Sequence, residues 1–389
     1  MRLVMTMMVR DEADVIEAMV EHHFAQGVDT MLITDNGSID GTTEILERLA
    51  SAHDVVLMHD PVHAKQQSSC VTRMANEAYT EHGADWVINA DADEFWVPRA
   101  HDSIHAAFET YPREFGAFEV HVEDMTGLPA ARGTGLERLI YRDLRSTAML
   151  RGVGLRDHSA ADAVHIGASG VVVAQGNHAV SIPSCGTPSA AESIEVLHFP
   201  WRSWDQFRRK VENAGKAYES SPDLVPSPNH HGMRDYRLLK EGRLLASYLL
   251  RSLTPAQLDA GIADGLYVEE TRIRAEKLPQ QADDELEYDA SEMVDLLRGL
   301  AATQGERLAA TAADADQRFA DAKAYIEGAG REWQAEREAL HERADRLAQR
   351  VEQLSDELVA TRAALEGLRG RRSVRIVDAV NRVATRRRA

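Results

Sequence analysis

The chain has 389 residues, 44% of them hydrophobic and 28% charged, a balance that excludes wholesale disorder and leads us to expect more than one structural unit. A formal net charge of −19 argues against a general nucleic-acid groove, which needs clustered cations. Cys70 and Cys185 support neither a disulfide framework nor a cysteine zinc site, so a reducing compartment fits best.

The opening MRLVMTMMVRDEAD holds an apolar stretch too short for a signal peptide. No window reaches the roughly 18 apolar residues of a membrane-spanning helix, so a cytoplasmic protein is expected, at most peripheral to a membrane. Residues 2–9 read as a buried strand, and helical spacing follows through Val15, Ile16, Met19, Val20 and His23. Thr30–Thr34 reads as a second strand, broken at Asp35-Asn36-Gly37-Ser38 before a helix around Thr43–Leu49. Val55–Met58 reads as a third strand, Gln66–His82 as a third helix and Trp86–Ala90 as a fourth strand. Short apolar strands alternating with helices predict a mostly parallel sheet covered on both faces. The rhythm then breaks. Phe115–Val122 and Leu136–Arg142 are expected as strands, Val164–Ile182 as a hairpin, Ser193–Phe199 as a strand and Trp204–Tyr218 as a cationic helix. A Pro-, Ser-, Asn- and His-rich loop, Ser220–Gly232, precedes further helix from Arg234.

The chemistry is concentrated in Trp86-Val87-Ile88-Asn89-Ala90-Asp91-Ala92-Asp93-Glu94-Phe95-Trp96. In extended backbone, residues two apart share a side, so Asp91 and Asp93 would present two carboxylates together. Such a pair repels unless a cation relieves it, and a hard divalent ion with oxygen ligands is the usual solution. Asp-x-Asp alone says little. The same tripeptide recurs at Asp314-Ala315-Asp316 in a polar helical stretch, where it reads as a solvated face. Only the first copy follows a buried strand, where ligands of open α/β sheets sit.

Three segments in order, MVRDEADVIEAMVEHHFAQGVD, LITDNGSIDGTTEIL and WVINADADEFW, resemble glycosyltransferase family 2 proteins of the GT-A fold, most closely a subgroup with a DxDEF signature. The likeness runs over roughly residues 1–215. It implies a Rossmann-like mixed sheet with flanking helices and transfer of a sugar from a nucleotide-sugar donor to a glycan, lipid or protein acceptor, with inversion. By the same resemblance Asp35 contacts the nucleotide base, and Arg10 and Glu12 lie close to the nucleotide. Asp91 and Asp93 hold the divalent ion and, through it, the diphosphate. LHFPWRSWDQFRRKV implies His198 as a third ligand, and imidazole favours Mn²⁺ over Mg²⁺.

Of Arg202, Arg208, Arg209 and Lys210, one is expected to hold phosphate and the rest to be solvated, while Lys65-Gln66-Gln67 is either a donor contact or a helix start. An inverting reaction needs a base for the acceptor hydroxyl. Asp124, after a strand, is the candidate, with Asp157 its rival. Two other readings compete: nucleotidyl transfer, for which no Gly-rich activating loop is present, and a coiled-coil scaffold with a degenerate transferase domain.

Beyond the catalytic domain, set at 1–285, and a helical linker, 286–332, the pattern becomes heptads. Trp333, Leu340, Leu347, Leu354, Thr361 and Leu368 recur every seventh residue, with Ala344, Val351, Leu358 and Leu365 in the complementary position. This predicts a coiled coil over 333–370 and a homodimer. In the basic tail, 371–389, Val374, Ile376, Val377, Val380 and Val383 fall partly on one helical face flanked by arginines, which suits anionic lipid.

Overall fold

The computed structural model describes residues 1–62, 67–219, 231–289, 296–303, 353–367 and 372–386, with a few isolated positions besides. The chain divides into two compact units, Met1–Glu327 and Gly328–Ala389.

In the first unit, β1 (Leu3–Val9), β2 (Thr30–Asp35), β3 (Val55–His59) and β4 (Trp86–Asn89) lie parallel in the order β3-β2-β1-β4. They are linked by α1 (Ile16–Ala25), α2 (Thr42–Ala50) and α3 (Gln67–Thr80). Alternate residues of β1 enter opposite layers: Leu3, Met5 and Met7 join Ile16 and Met19, whereas Val4 packs with Leu32, Met74 and Ala78. Both faces are therefore buried, which is why these strands read as continuous apolar runs.

The sheet is mixed beyond β4. β8 (Asp162–Ile166) runs antiparallel to β4, and β6 (Ala117–Thr126) antiparallel to β8. β7 (Tyr141–Asp143) and β10 (Tyr267–Glu269) extend the far edge. Two expectations change here. Of the strand expected over Leu136–Arg142 only Tyr141 and Arg142 fall in β7, with Leu136 and Leu139 buried ahead of it, and Val164–Ile182 forms no full hairpin, only β8 and a single bridge between Val173 and Val180. Apolar content alone marked both segments for burial; hydrogen-bond pairing with distant strands decides which of them becomes a strand.

β5 (Glu94–Pro98) was not expected, because its aromatic pair follows the carboxylates directly and reads as a turn anchor. It pairs antiparallel with β9 (Ile194–His198), which in turn runs parallel to β6. α4 (Ile104–Thr110) and α5 (Thr147–Gly152) lie between these strands in sequence, and α6 (Trp204–Glu219) follows β9.

α7 (His231–Lys240) and α8 (Leu244–Arg251) form a helical layer with α6, and α9 (Pro255–Ala263) and α10 (Arg272–Ala275) flank β10. Leu300, in the helical residues 296–303, joins Phe207, Tyr236, Leu244 and Tyr248 in that layer, so packing of the first unit continues past residue 285. Residues 220–230, most of the expected loop, lie outside the described residues, as do Asp314–Asp316, Trp333 and Leu340. In the second unit, residues 353–367 and Arg372–Arg386 are helical.

Trp86 is 1% exposed, with Phe108 and Phe118 at ring-centroid distances of 5.5 and 5.6 Å. Trp86→Ala is expected to cost about 3–5 kcal/mol through the cavity it leaves, read as a lower urea midpoint. His165, on β8, is fully buried; its Nδ1 hydrogen bonds with the Ile166 carbonyl and its Nε2 has no hydrogen-bond partner. Burial pulls its pKa down to about 4. The unfolded chain therefore takes up a proton first as pH falls, and stability that is full above about 6.5 declines toward pH 4. His165→Leu is expected to flatten that part of the urea stability profile, and an unchanged slope would show that His165 does not cause it.

Candidate active site

The carboxyl ends of β1, β2 and β4 lie along one edge, with Val9 beside Asp35 and Thr6 beside Asn89. Ligands of open α/β sheets bind outside such ends. The β5–β9 register sets His198 opposite Glu94, and the β6–β9 register sets Asp124 beside His198. α6 then carries its cations back over the loops that follow β1 and β2: Arg209 meets Asp40 at 2.9 Å, and Asn213 donates to Asp11 at 2.5 Å.

Asp91 and Asp93 are not in extended backbone as expected. They flank Ala92 in the turn between β4 and β5, closed by the Glu94 amide donating to the Asp91 carbonyl at 3.2 Å. The reversal gives their side chains different surroundings. Asp93, 2% exposed, meets Lys210 Nζ at 2.8 Å, Arg202 Nη1 at 3.5 Å and His198 Nε2 at 3.7 Å. Burial acts against ionisation, but Lys210, His198 and Arg202 together hold its carboxyl well below the usual range. Arg202 is fully buried; it grips Asp14 through two bonds of 2.8 and 3.1 Å, pairs with Glu12 and donates to the Phe199 carbonyl at 3.2 Å.

Asp91 accepts from Gln67 at 2.8 Å and Asn177 at 3.2 Å, and its amide donates to Glu94 at 2.9 Å. Burial first, then Asp93 and Asp162, push its pKa up to about 6. Glu94 is raised well above its usual value by burial, then by Asp162 and Asp91. Asp162, on β8, holds His178 at 3.2 Å with one oxygen, while Oδ2 is buried without a hydrogen-bond partner. The carboxyls on the Asp91 side of the turn thus repel one another and are harder to ionise than usual.

A hard divalent ion bound here would take Asp91 and Asp93 as its oxygen ligands. The expected third ligand, His198, lies between two carboxylates. His198 Nδ1 hydrogen bonds with Asp124 at 2.8 Å while Nε2 faces Asp93. Despite burial, these two carboxylates push its pKa up to about 10. Among the described residues, no three histidine, cysteine or carboxylate side chains are grouped to hold an ion.

Asp124, the expected base, is engaged through both carboxylate oxygens. Oδ1 accepts from Ser159 Oγ at 2.7 Å as well as from His198, and Oδ2 accepts from the Ser159 amide at 3.0 Å and contacts His158 at 3.4 Å. With burial opposing them, His158, His198 and Ser159 hold its carboxyl far below the usual range, and its bond to Nδ1 orients His198. Its rival Asp157 is paired with Arg151 in an exposed position.

The nucleotide candidates do converge on this edge. Arg10 donates to the Asn36 carbonyl. Glu12, pushed up to about 7 by burial against the pull of Arg202, joins the Arg202 cluster. Asp35 accepts from the Ser38 amide at 3.0 Å, Ser38 Oγ at 2.6 Å and Thr43 Oγ1 at 2.5 Å, so its present work is to shape the loop before α2. Of the four flagged cations, two meet Asp93: Arg202 and Lys210. Arg209 is spent on Asp40, and Arg208 on Asp205 and Glu212. Lys65 and Gln66 lie outside the described residues. Sequence reading missed Asp14, although it sits two residues after Glu12 in the first of the three segments, and Asp162 and Asn177, which carry no local motif and are brought in by a distant strand and loop.

The carboxylates and cations thus gather outside the carboxyl ends of the parallel strands, where open α/β sheets bind their ligands. Residues 5–151 match Glycosyl transferase family 2, so the first part of the chain is a family 2-like domain of the GT-A type. No curated protein sequence matches significantly. Among solved structures, S. aureus TarS 1-349 in complex with UDP-GlcNAc is 10% identical, over 43% of this chain and 45% of that one, with a TM-score of 0.29. S. aureus TarS 1-349 is 8% identical, over 56% and 66%, with a TM-score of 0.32. The complex of TarS 1-349 with UDP is 12% identical, over 33% and 36%, with a TM-score of 0.25. The chain thus spans less than two thirds of those structures, and likeness at this level has no bearing on substrate.

Proposed function

We propose that this chain transfers a sugar from a nucleotide-sugar donor to a glycan, lipid or protein acceptor, with a divalent ion held by Asp91 and Asp93. The observation that carries the reading is the Asp91–Asp93 turn, which lies inside the family 2-like segment with Lys210 and Arg202 beside Asp93. Departure of a nucleoside diphosphate develops negative charge, and a divalent ion at such a site neutralises it.

The chain's own groups serve the same end. Arg202 is fixed by Asp14 and Glu12, so its charge needs no reorganisation when the leaving group forms. Lys210 reaches Asp93 from α6 and adds a second fixed cation, while Asp124 holds His198 with Nε2 toward Asp93. Inversion at the sugar carbon belongs to the same reading through the family resemblance, and a preference for Mn²⁺ through an imidazole ligand at His198.

The test is thermal stabilisation by a panel of nucleoside diphosphates with and without Mn²⁺. We expect a rise in Tm with at least one of them that depends on Mn²⁺ and is lost in Asp91→Ala and Asp93→Ala. No rise with any would sink the reading.

Dimerisation through a coiled coil is part of the proposal. Its support is that residues 353–367 are helical and leave Leu354, Leu358 and Leu365 exposed at coiled-coil spacing. Sedimentation equilibrium of the full chain is expected to give a dimer mass, and a monomer would remove this element.

A further inference from the structure

Helix Arg372–Arg386 carries a face that the first unit's chemistry does not use. Ile376, Val380 and Val383 are spaced four and three apart and so share one side, with Val377 at its margin. They are 61%, 60%, 57% and 57% exposed in the order Ile376, Val380, Val383, Val377. Arg375, Arg382 and Arg386, seven and four apart, form a row along one flank of that stripe. Asp378 is the single acid in the helix. Among the described residues no helix is long and apolar enough to cross a membrane.

We infer that this helix is a docking surface for an anionic lipid bilayer, lying in the interface with its valines toward the acyl chains and its arginines on the headgroups. Three observations favour lipid over a second copy of the chain or a nucleic acid. First, stepping seven residues from Leu365 and Leu368 reaches Arg372 and Arg375, so the heptad seam does not continue into this helix. Second, paired copies would bring arginine rows together with only Asp378 on each to balance them. Third, residues 369–389 contain no aromatic side chain for stacking on bases.

The charge distribution sharpens the case. Residues 369–389 hold eight arginines and one acid, in a chain whose total charge is nonetheless −19. An acidic body is repelled by an anionic surface, so attraction is confined to this segment and acts over about a Debye length, roughly 8 Å at physiological salt. The apolar face is built from valine and one isoleucine, without leucine or an aromatic. Insertion is therefore shallow, and affinity rests on the arginines; each contributes about fivefold near an anionic leaflet.

The experiment is co-sedimentation of the full chain with large vesicles, either neutral phosphatidylcholine or the same with about a third phosphatidylglycerol. Expected is binding to the anionic vesicles alone, weakened by high salt and reduced at least about tenfold in Arg375→Glu/Arg382→Glu. Val380→Asp is expected to weaken it as well, which separates interfacial insertion from a purely ionic contact. Both variants keep the thermal unfolding of the first unit, because their side chains are exposed and lie outside it. Equal binding to both vesicle types, no binding to anionic vesicles, or an unchanged arginine variant would overturn the inference. So would equally tight binding to a single-stranded RNA, which would make the helix a general polyanion site.

Discussion

Replacing Asp93 with asparagine is expected to abolish nucleoside diphosphate release from a nucleotide sugar and to lower stability at the same time. Asp93 is nearly fully buried and faces Lys210, Arg202 and His198 together. Removing its charge deletes one of the two carboxylates proposed to hold the ion. It also leaves a cluster of cations that Asp14, Glu12 and Asp124 only partly offset. Breaking a buried charge pair from one side costs about 3–5 kcal/mol, and here the remaining acids keep the loss toward the lower end. The activity loss is therefore expected to exceed the loss of folded protein, which a urea titration beside the activity measurement would establish. If Asp93→Asn retains wild-type turnover, the carboxylate does no chemical work.

The second large effect is expected at Arg202. Its guanidinium is fully buried, bidentate to Asp14 and bonded to Glu12, with Asp93 at 3.5 Å. Arg202→Met preserves much of the volume but strands the Asp14 and Glu12 carboxylates in a dry environment, at a cost of about 3–5 kcal/mol. Arg202→Lys is expected to recover only part of this, because an ammonium cannot reproduce the planar fork that Asp14 accepts. A urea midpoint within error of wild type for Arg202→Met would show that these acids find other partners. The same cluster ties the loop after β1 to the segment after β9, so donor binding is expected to weaken along with stability.

The parallel half of the sheet was legible because β1, β2 and β4 are buried on both faces and so spell continuous apolar runs, each followed by turn residues or a helix. The convergence of Arg10, Glu12, Asp35, Asp91 and Asp93 on one edge follows from that topology. What the sequence hid was long-range pairing. β5 was masked by its position directly after two carboxylates, and only its pairing with β9 places His198 opposite Glu94.

Asp124 reads as an available loop acid from its neighbours in sequence. In the fold it is a strand residue, filled by Ser159, His158 and His198 from 34 to 74 residues away. For His198 the sequence likewise hides its partners, the carboxylates of Asp93 and Asp124 on either side of it. Among the four cations near α6, helical phase shows that they point in different directions, but only the partner loops reveal that Lys210 meets Asp93 while Arg209 meets Asp40.

The most direct measurement is release of nucleoside diphosphate from a panel of nucleotide sugars, with Mn²⁺ and purified full-length protein, run in parallel on Asp91→Ala and Asp93→Asn. The proposed function requires release from at least one donor, dependent on the ion and absent in both variants while each remains folded. Release that persists undiminished in both folded variants, or none from any donor by the wild-type chain, would contradict it.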